Sequence, residues 1–368
     1  MKVCVAFGTR PEAIKLAPVI HALLADTSID LCVLHTGQHE EMATSVLGWF
    51  QIEPNQQIDL SKGKRTLNSL SAELIGLCGA VLAEEKPDVL IVQGDTSSAL
   101  FCALGAFHEQ ISVAHVEAGL RTHDIHRPFP EELNRVLIGR IASLHFPPTE
   151  ISRANLVTEG NNDSSIVVTG NTVVDALLWT IDKLKDRPIP TAFQSFDQNA
   201  KNILVTAHRR ESWDGGIAKI FDAVCQLALD FPEVHFWLPL HANPLVKESL
   251  SDEILKSKNV HILGPVDYPD LVWILTKCEF AITGSGGIQE ESIALNKPVL
   301  VTRSETDRPE GVDAGLAFLV GSDKSLIIEL ATKWLKDDLP KRASNVSIYG
   351  DGLAAQRIVD AIKNRFNA

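Results

Sequence analysis

Short apolar segments alternate with helical patterns along the whole chain, and this alternation restricts the possible folds more than any other feature. The apolar segments have the continuous hydrophobic character of strands that are buried on both faces of a sheet. They lie at residues 3–7, 31–35, 89–93, 112–116, 144–147, 203–207, 234–239, 260–263, 280–283 and 298–301. Helical patterns fill the intervals, for example at residues 13–25 and 67–85. This order predicts an α/β fold of βαβ units, in which helices cover parallel sheets.

The length of 368 residues predicts two domains of ordinary size. Both halves of the chain show the same rhythm, so we expect two doubly wound, Rossmann-like domains that face a cleft. In such sheets, ligands bind outside the carboxyl ends of the strands. Residues 185–202 lack a clear periodicity and are expected to form a surface excursion, whereas residues 352–366 form an amphipathic helix that no strand follows.

Composition excludes several classes of function. The formal net charge of −13 argues against non-specific binding to nucleic acid or to an anionic membrane. The six cysteines form no CxxC pair, so we expect reduced thiols in the core. The N-terminus lacks the layout of a signal peptide, and no apolar run is expected to span a bilayer. The expected location is the cytoplasm.

A glycine turn follows the apolar segment at residues 280–283. The sequence there is Gly284-Ser285-Gly286-Gly287, and a helical pattern containing Glu291 comes next. Glycines let a phosphate approach the free N–H groups of a helix N-terminus, and a carboxylate inside the helix can hold the hydroxyls of a ribose. The turn therefore suggests a nucleotide or nucleotide-sugar site, although the same residues would suit a plain strand-to-helix turn.

The first strand also leads into an anion-binding pattern. Gly8-Thr9-Arg10-Pro11 begins a helix, and Arg10 and Lys15 are placed to meet an anion. The turn has neither the GxGxxG fingerprint nor the ending of a P-loop, so a nicotinamide cofactor is not expected. Two such units suggest one ligand that is shared between two α/β halves.

Carboxylates follow two further strands. Asp95 comes just after residues 89–93, and Glu117 ends the segment 112–116. Asp95 would also serve as a helix N-cap, and a buried Glu117 requires a partner, for which Arg121 or Arg135 are candidates. Either carboxylate could otherwise act as a general acid or base.

A proline and two glutamates predict the start of a helix at Glu131. Arg135 lies four residues further on the same helical face, which fits either a simple ion pair or a carboxylate tuned by a guanidinium. Later in the chain, His208 opens a His-Arg-Arg run at a strand end, which is either an anion site or a solvated basic turn. The histidines, such as His115, His123 and His126, lack the spacing of metal ligands, so no metal is expected.

Nine motifs taken together resemble the non-hydrolysing UDP-N-acetylglucosamine 2-epimerase family. In chain order they are GTRPEAIKLAPVI, HTGQHEEM, QGDT, HVEAGLRT, PFPEELNR, VTGNTVVDAL, TAHRRES, GSGGIQEE and KPVLVTR. The resemblance extends from the first strand to beyond Arg303. It implies the GT-B fold, with the last helix crossing back to the first domain, and hence domains of residues 1–169 plus 351–368 and of residues 170–350. It also implies a homodimer.

The resemblance implies an activity and assigns residues to it. Family members interconvert UDP-GlcNAc and UDP-ManNAc by eliminating UDP to 2-acetamidoglucal and adding it back, and the product feeds surface polysaccharide synthesis. The implied catalytic residues are Asp95, Glu117, Glu131, Arg135 and His208. The implied substrate-binding residues are Arg10, Lys15, Leu271, Ser285, Gly286, Gly287, Glu291 and Arg308. Neither a metal nor a nicotinamide is implied.

The resemblance leaves alternatives open. Gln38, His39, Arg65 and His241 resemble an allosteric site for a second UDP-GlcNAc, but Glu41 replaces a glutamine that is usual there. The substrate could be a modified UDP-hexosamine such as a 3-acetamido uronic acid. Further possibilities are a hydrolysing epimerase that releases ManNAc, a GT-B glycosyltransferase and an inactive nucleotide-sugar sensor. The products would distinguish the two epimerases, and binding without proton exchange at C2 would indicate the sensor.

Overall fold

The computed structural model describes residues 1–38, 40–61, 63, 65–207, 215–240, 244–340 and 347–366. Contacts divide the chain into two compact units: unit 1 comprises Met1–Leu178 and Tyr349–Ala368, and unit 2 comprises Trp179–Ile348. The strands of unit 1 are β1 Lys2–Phe7, β2 Asp30–His35, β3 Gln56–Gln57, β4 Val89–Gln93, β5 Ser112–Val116 and β6 Leu144–Phe146. Those of unit 2 are β7 Asn202–Thr206, β8 His235–Pro239, β9 Val260–Leu263, β10 Phe280–Thr283, β11 Val299–Val301 and β12 Ala317–Leu319.

Helices connect these strands. In the first part of the chain they are α1 Arg10–Leu24, α2 Glu40–Phe50, α3 Leu67–Glu85, α4 Ser97–His108, α5 Glu131–Ile141, α6 Glu150–Thr158 and α7 Thr172–Leu184. Those that follow are α8 Gly216–Asp230, α9 Pro244–Glu248, α10 Asp252–Lys256, α11 Tyr268–Lys277, α12 Gly286–Ala294, α13 Pro309–Asp313, α14 Lys324–Leu335 and α15 Ala354–Phe366.

Each unit contains one six-stranded parallel sheet with the same strand order. Unit 1 has the order β3-β2-β1-β4-β5-β6, and unit 2 has β12-β11-β10-β7-β8-β9. Both are the doubly wound order, in which successive strands are added in one direction from the first strand and in the opposite direction from the fourth. The reversal falls between β1 and β4 in unit 1 and between β7 and β10 in unit 2, and these are the positions where such sheets bind ligands.

The strand cores are apolar, as expected for parallel sheets that helices cover on both faces. In unit 1, β1 and β4 pack with α3 and α4 through side chains such as Leu90, Val92 and Leu74. In unit 2, β7 and β10 pack with α8 and α14, where Trp334 is buried. These cores fix the strand ends from which the polar residues of the site project.

All ten strands that the sequence predicts are present, but two edge strands were missed. β3 consists of only Gln56 and Gln57, and β12 of three residues at the other unit's edge. A two-residue polar strand has no hydrophobic period, and its pairing with β2 is determined by tertiary contacts.

The last helix belongs to unit 1, as predicted. α15 packs against α1, its apolar face buries Ile358 and Ile362, and Lys363 pairs with Asp26. The observed division falls after Leu178 rather than after residue 169, because the first half of α7 binds the C-terminal segment. There the Ala355 N–H donates to Asp175 Oδ1 at 2.8 Å.

Helix α3 corrects one expectation. By length and composition alone it is long and apolar enough to cross a membrane. The sequence was expected to contain no segment of this kind. One face of α3 packs along α4, where the Sγ atoms of Cys78 and Cys102 are 2.8 Å apart.

Candidate active site

The polar residues of unit 1 converge where β1 and β4 end side by side. The turn after β1 leads into α1 at Arg10, and the turn after β4 contains Gly94 and Asp95. Gly8 is required in the first turn, because an added Cβ would lie 2.1 Å from both Ser98 Oγ and Thr36 Oγ1. The turns from β1, β2 and β4 are therefore packed against one another at the ligand-binding edge of the sheet.

Glu117 lies just after β5 and is the most enclosed of the three candidate acid–base carboxylates. Its backbone has a φ of +60°, which is uncommon for a residue other than glycine. Its carboxylate accepts hydrogen bonds from Lys15 Nζ and from Gln93 Nε2, and also from Asn171 Nδ2 at 3.0 Å. A backbone conformation of this kind costs about 1–3 kcal/mol and persists where the surroundings enforce it. Here the enforcing groups are donors that hold one carboxylate at the sheet edge.

Asp95 forms an ion pair across the unit with Arg135 of α5. Arg135 Nη2 lies 2.5 Å from Asp95 Oδ2, and Nη1 lies 3.5 Å from Glu132 Oε2. The Arg135 side chain is 4% exposed and that of Asp95 is 25% exposed. Arg135 is thus a buried cation that fixes the more accessible carboxylate of the site.

The backbone around Asp95 is held as well. Asn134 Nδ2 donates to the Asp95 carbonyl at 2.8 Å, and His115 Nε2 lies 2.7 Å from the Gly94 carbonyl. A carbonyl oxygen only accepts, so Nε2 of His115 carries the proton. Burial lowers the pKa of His115 to about 3, which keeps this ring neutral at physiological pH. A neutral donor under the turn leaves the charge of Asp95 to Arg135.

The neighbouring strand carries a second buried histidine, and it predicts how stability changes with pH. Burial lowers the pKa of His145 on β6 to about 4 from an ordinary 6.5. Below pH 6.5 the unfolded chain therefore gains a proton that the folded chain does not, so acid destabilises the fold. Between pH 7 and pH 5, the free energy of unfolding should therefore fall by about 1–2 kcal/mol less in His145→Gln than in the wild type.

Urea unfolding of wild type and His145→Gln at both pH values gives this difference. The comparison isolates one histidine, because every other titrating group is common to both proteins. Equal pH dependence in the two proteins would mean that His145 titrates normally.

Two interpretations made from the sequence change. Arg121 and Arg135 were the candidate partners of Glu117, but Arg121 pairs with Glu159 at 2.7 Å, and Glu117 pairs with Lys15. Helical spacing offered Glu131 as the partner of Arg135, whereas the ion pairs of Arg135 join Asp95 and Glu132. In both cases the structure adds a partner that is distant in the sequence, namely Lys15 for Glu117 and Asp95 for Arg135.

Two further catalytic candidates, Glu131 and His208, and the substrate-binding candidate Arg10 are placed only in part. Glu131 is the half-buried first residue of α5, one helical turn before Arg135, and Arg10 is the half-buried first residue of α1. His208 lies outside the described residues.

In unit 2, β10 ends at a turn that begins α12. Ser285 is the N-cap of this helix, and its N–H donates to Thr283 Oγ1 at 3.0 Å. A Cβ at Gly286 would lie 2.6 Å from the Arg308 guanidinium carbon, whereas one at Gly287 would meet no atom within 4 Å. Gly286 therefore makes room for a cation at the helix N-terminus, and Gly287 leaves the backbone accessible.

A buried charge network holds Arg308 there. Its Nε donates to Glu290 Oε1 at 2.8 Å, and its Nη1 donates to Asp307 Oδ1 at 2.7 Å. Arg303 also pairs with Asp307, at 3.3 Å. The side chain of Glu290 is fully buried, so the guanidinium compensates a charge that water does not reach.

The other candidates in unit 2 lie near this turn or on α11. Glu291 is 3% exposed, and its Oε1 accepts from the Tyr268 hydroxyl at 2.9 Å. Leu271 is half-buried on α11, and its N–H donates to the Asp267 carbonyl. The ribose and uracil contacts predicted for these two residues stay predictions.

The candidate allosteric residues are only partly described. Gln38 Oε1 accepts from Ser98 Oγ at 2.7 Å, which ties it to the first turn of α4, and Arg65 is exposed. His39 and His241, and the side chain of Glu41, lie outside the described residues. Within the described part of the chain, no three histidine, cysteine, aspartate or glutamate residues are grouped to hold a metal ion.

Several site residues were missed from the sequence. They hold the candidates in place or balance their charge: Glu12, Gln93, Asn134, Asn171, Glu290 and Asp307. Each lies inside or beside a motif or residue that the sequence analysis singled out, for example Asn134 directly before Arg135 and Glu290 directly before Glu291. Their contacts become visible only once the fold brings distant segments together.

Comparison with known proteins gives matches along nearly the whole chain. The family model described as UDP-N-acetylglucosamine 2-epimerase matches residues 21–363. The UDP-N-acetylglucosamine 2-epimerase of Escherichia coli (strain K12) is 44% identical over 374 residues, covering 99% of each chain. The enzyme of that name from Yersinia pestis is 43% identical over 373 residues, again covering 99% of each.

Solved structures of proteins with the same family name match the fold of this chain. The crystal structure of UDP-GlcNAc 2-epimerase from Neisseria meningitidis bound to UDP-GlcNAc matches with a TM-score of 0.95 and 40% identity, covering 99% of this chain and 100% of that one. That of the Methanocaldococcus jannaschii UDP-GlcNAc 2-epimerase in complex with UDP-GlcNAc and UDP matches with a TM-score of 0.86 and 33% identity, with the same coverage. Together with the two parallel sheets, these matches confirm the predicted fold class.

Proposed function

The chain belongs to the UDP-N-acetylglucosamine 2-epimerase family, and from this premise we propose that it interconverts UDP-GlcNAc and UDP-ManNAc. The observation that carries the proposal is the pair of held carboxylates, Glu117 with Lys15 and Asp95 with Arg135, at the ligand-binding edge of unit 1. Both carboxylates lie at the carboxyl ends of β4 and β5, next to the point where the strand order reverses and where such sheets bind ligands.

The proposed reaction proceeds by elimination and re-addition. A base removes the proton from C2 of the hexosamine, the electron pair forms the C1=C2 bond, and UDP leaves C1 with the electrons of the C1–O bond. The products of this step are 2-acetamidoglucal and UDP. In the return step the UDP oxygen attacks C1, and a proton is delivered to C2 on the opposite face. The C2 proton is weakly acidic, so both a positioned base and a stabilised leaving group are needed.

Unit 1 supplies the acid–base groups of this proposal. Asp95, Glu117 and Glu131 are the candidate carboxylates, and two of them are fixed by buried or nearly buried cations. Fixing matters because proton transfer requires a heavy-atom distance of about 2.6–3.2 Å to the reacting group. Arg10 and His208 are proposed to meet the developing negative charge of the leaving diphosphate.

Unit 2 supplies the UDP-binding groups. The start of α12, at Ser285, Gly286 and Gly287, is the kind of helix N-terminus that binds phosphate oxygens. Arg308 adds a positive charge beside Gly286. Glu291 is proposed to hold the ribose, and the backbone near Leu271 is proposed to meet the uracil.

The setting of the enzyme is part of the proposal. We place it in the cytoplasm, supplying UDP-ManNAc to surface polysaccharide synthesis as a homodimer. Exposed apolar side chains on the neighbouring helices α3, α4 and α5 support self-association: Leu77, Phe107, Leu133 and Leu137. Multi-angle light scattering gives the oligomeric state directly.

Product analysis tests the activity and separates it from the alternatives. Incubation with UDP-GlcNAc should give UDP-ManNAc, and incubation with UDP-ManNAc should give UDP-GlcNAc at the same final ratio. Release of free ManNAc with UDP would instead indicate the hydrolysing epimerase. Turnover only of a 3-acetamido uronic acid analogue would show that the hexosamine carries further groups.

A further inference from the structure

Glu12 is a buried carboxylate next to the candidate active site, and the proposed reaction assigns it no role. It is the third residue of α1 and is fully buried. Its Oε2 accepts from the Thr9 N–H at 2.8 Å and from the Gly8 N–H at 3.1 Å, and its Oε1 accepts from the Thr96 hydroxyl at 2.8 Å. One side chain thus contacts two different turns.

Those two turns carry candidate site residues. Gly8 and Thr9 immediately precede Arg10, and Thr96 immediately follows Asp95. β1 and β4 pair directly in the sheet, so the two turns leave it side by side. The Thr96 hydroxyl also accepts from the Ala99 N–H at 3.0 Å as the N-cap of α4. The bond to Glu12 therefore extends from α1 to the helix that follows Asp95.

A general role in helix capping explains only part of this arrangement. A glutamate at the third helical position commonly reaches back to the N-cap N–H, here that of Thr9. The bonds from Gly8 and Thr96 go beyond that device. Burial also disfavours the charged form and raises the pKa of Glu12 to about 7, and its hydrogen bonds only partly offset this effect. A leucine would fill the same space without burying a charge.

We propose that Glu12 is a positioning residue for the epimerisation, holding the turn that leads to Arg10 in register with the turn that carries Asp95. This inference rests on the proposed function. Glu12 acts through the two turns, so its loss should affect the chemical step more than the binding of UDP.

Two pairs of variants test the inference by steady-state kinetics and UDP titration. Glu12→Leu removes all three acceptor contacts, whereas in Glu12→Gln the carbonyl still accepts from both N–H groups and the amide can donate to the Thr96 hydroxyl. Thr96→Val removes the hydroxyl, and Thr96→Ser keeps it. We expect kcat to fall by roughly tenfold or more in Glu12→Leu and Thr96→Val, since small misplacements of reacting groups are costly. Glu12→Gln and Thr96→Ser should remain within about threefold of wild type, and the Kd for UDP should not change.

Several results would overturn the inference. Wild-type kcat in folded Glu12→Leu and Thr96→Val would show that the contact positions nothing. A loss of activity that only follows the folded fraction measured by circular dichroism would show a structural role. If Glu12→Leu does not fold, the comparison of Thr96→Val with Thr96→Ser tests the inference, because both of these variants keep Glu12. A wild-type protein without epimerase activity would remove the proposed function itself, whereas an active wild type with unaffected variants would remove only the role of Glu12.

Discussion

Replacing Glu117 with glutamine should slow the interconversion of UDP-GlcNAc and UDP-ManNAc by about 10²-fold or more, the usual scale for a positioned acid–base group. The amide keeps the shape of the side chain but cannot take up the proton. The fold should survive with lower stability, because Lys15 loses its carboxylate partner, whereas Gln93 can rotate its amide to offer an oxygen to the new NH2 group. The measurement is kcat by NMR or by a coupled assay, with folding checked by circular dichroism.

Glu150→Gln provides the matched control for this change. Glu150 is also a glutamate paired with a cation, Arg153, but its side chain is 75% exposed on α6. The control should retain wild-type kcat and stability, because exposed ion pairs contribute little. Near-normal turnover in Glu117→Gln would return Glu117 to a structural role, namely as an anchor for Lys15 and Asn171.

Replacing Arg308 with methionine should lower the free energy of unfolding of unit 2 by about 3–5 kcal/mol, the usual effect of removing one partner of a buried ion pair. Glu290 would be left as a fully buried carboxylate without the guanidinium that now compensates it. Asp307 would keep Arg303, so the loss concentrates on Glu290. Urea unfolding followed by tryptophan fluorescence suits the measurement, since Trp237, Trp273 and Trp334 all lie in unit 2.

A double variant separates the buried charge from the loss of packing. Adding Glu290→Gln to Arg308→Met removes the uncompensated charge, so part of the stability should return, and the two changes should not be additive. The affinity for UDP should remain low in both proteins, because the cation beside Gly286 is absent. A change of less than about 1 kcal/mol in Arg308→Met would show that Glu290 finds other partners or becomes protonated at little cost.

The fold was largely predictable because its information is local. Continuous apolar runs such as residues 89–93 and 280–283 indicate buried parallel strands wherever they occur. β3 was missed because its two residues are polar, and β12 because its apolar run is only three residues long. Both form by pairing with a neighbouring strand. The division at Leu178 was missed for a similar reason, since α7 is one continuous helix in sequence and only its contacts divide it.

The site was predictable at the level of which residues carry charge, and not at the level of which residues meet. Strand-end position singled out Asp95 and Glu117 without structural knowledge. Their partners Arg135 and Asn171 lie 40 and 54 positions away in the chain, since 135 − 95 = 40 and 171 − 117 = 54. Local spacing rules favoured Glu131 for Arg135, because a helix offers an i,i+4 neighbour to every residue. In the structure Arg135 pairs with Asp95, because the turn after β4 that carries Asp95 lies against α5.

Gly286 is a glycine for a second structural reason that the sequence alone does not reveal. Its glycine predicted close approach of a phosphate to the backbone, and the structure adds a second cause, since any side chain there would displace the Arg308 guanidinium. The two causes are compatible, because both concentrate positive charge at the start of α12.

Incubation with UDP-GlcNAc in deuterium oxide, followed by NMR, tests the proposed chemistry most directly. Removal of the C2 proton to a side chain that exchanges with solvent requires deuterium to enter C2 as UDP-ManNAc forms. We therefore predict loss of the C2 proton signal from product, and from recovered substrate at equilibrium, together with a small amount of free UDP and 2-acetamidoglucal. Binding of UDP-GlcNAc without any exchange at C2, or formation of UDP-ManNAc that retains the C2 proton, would contradict it.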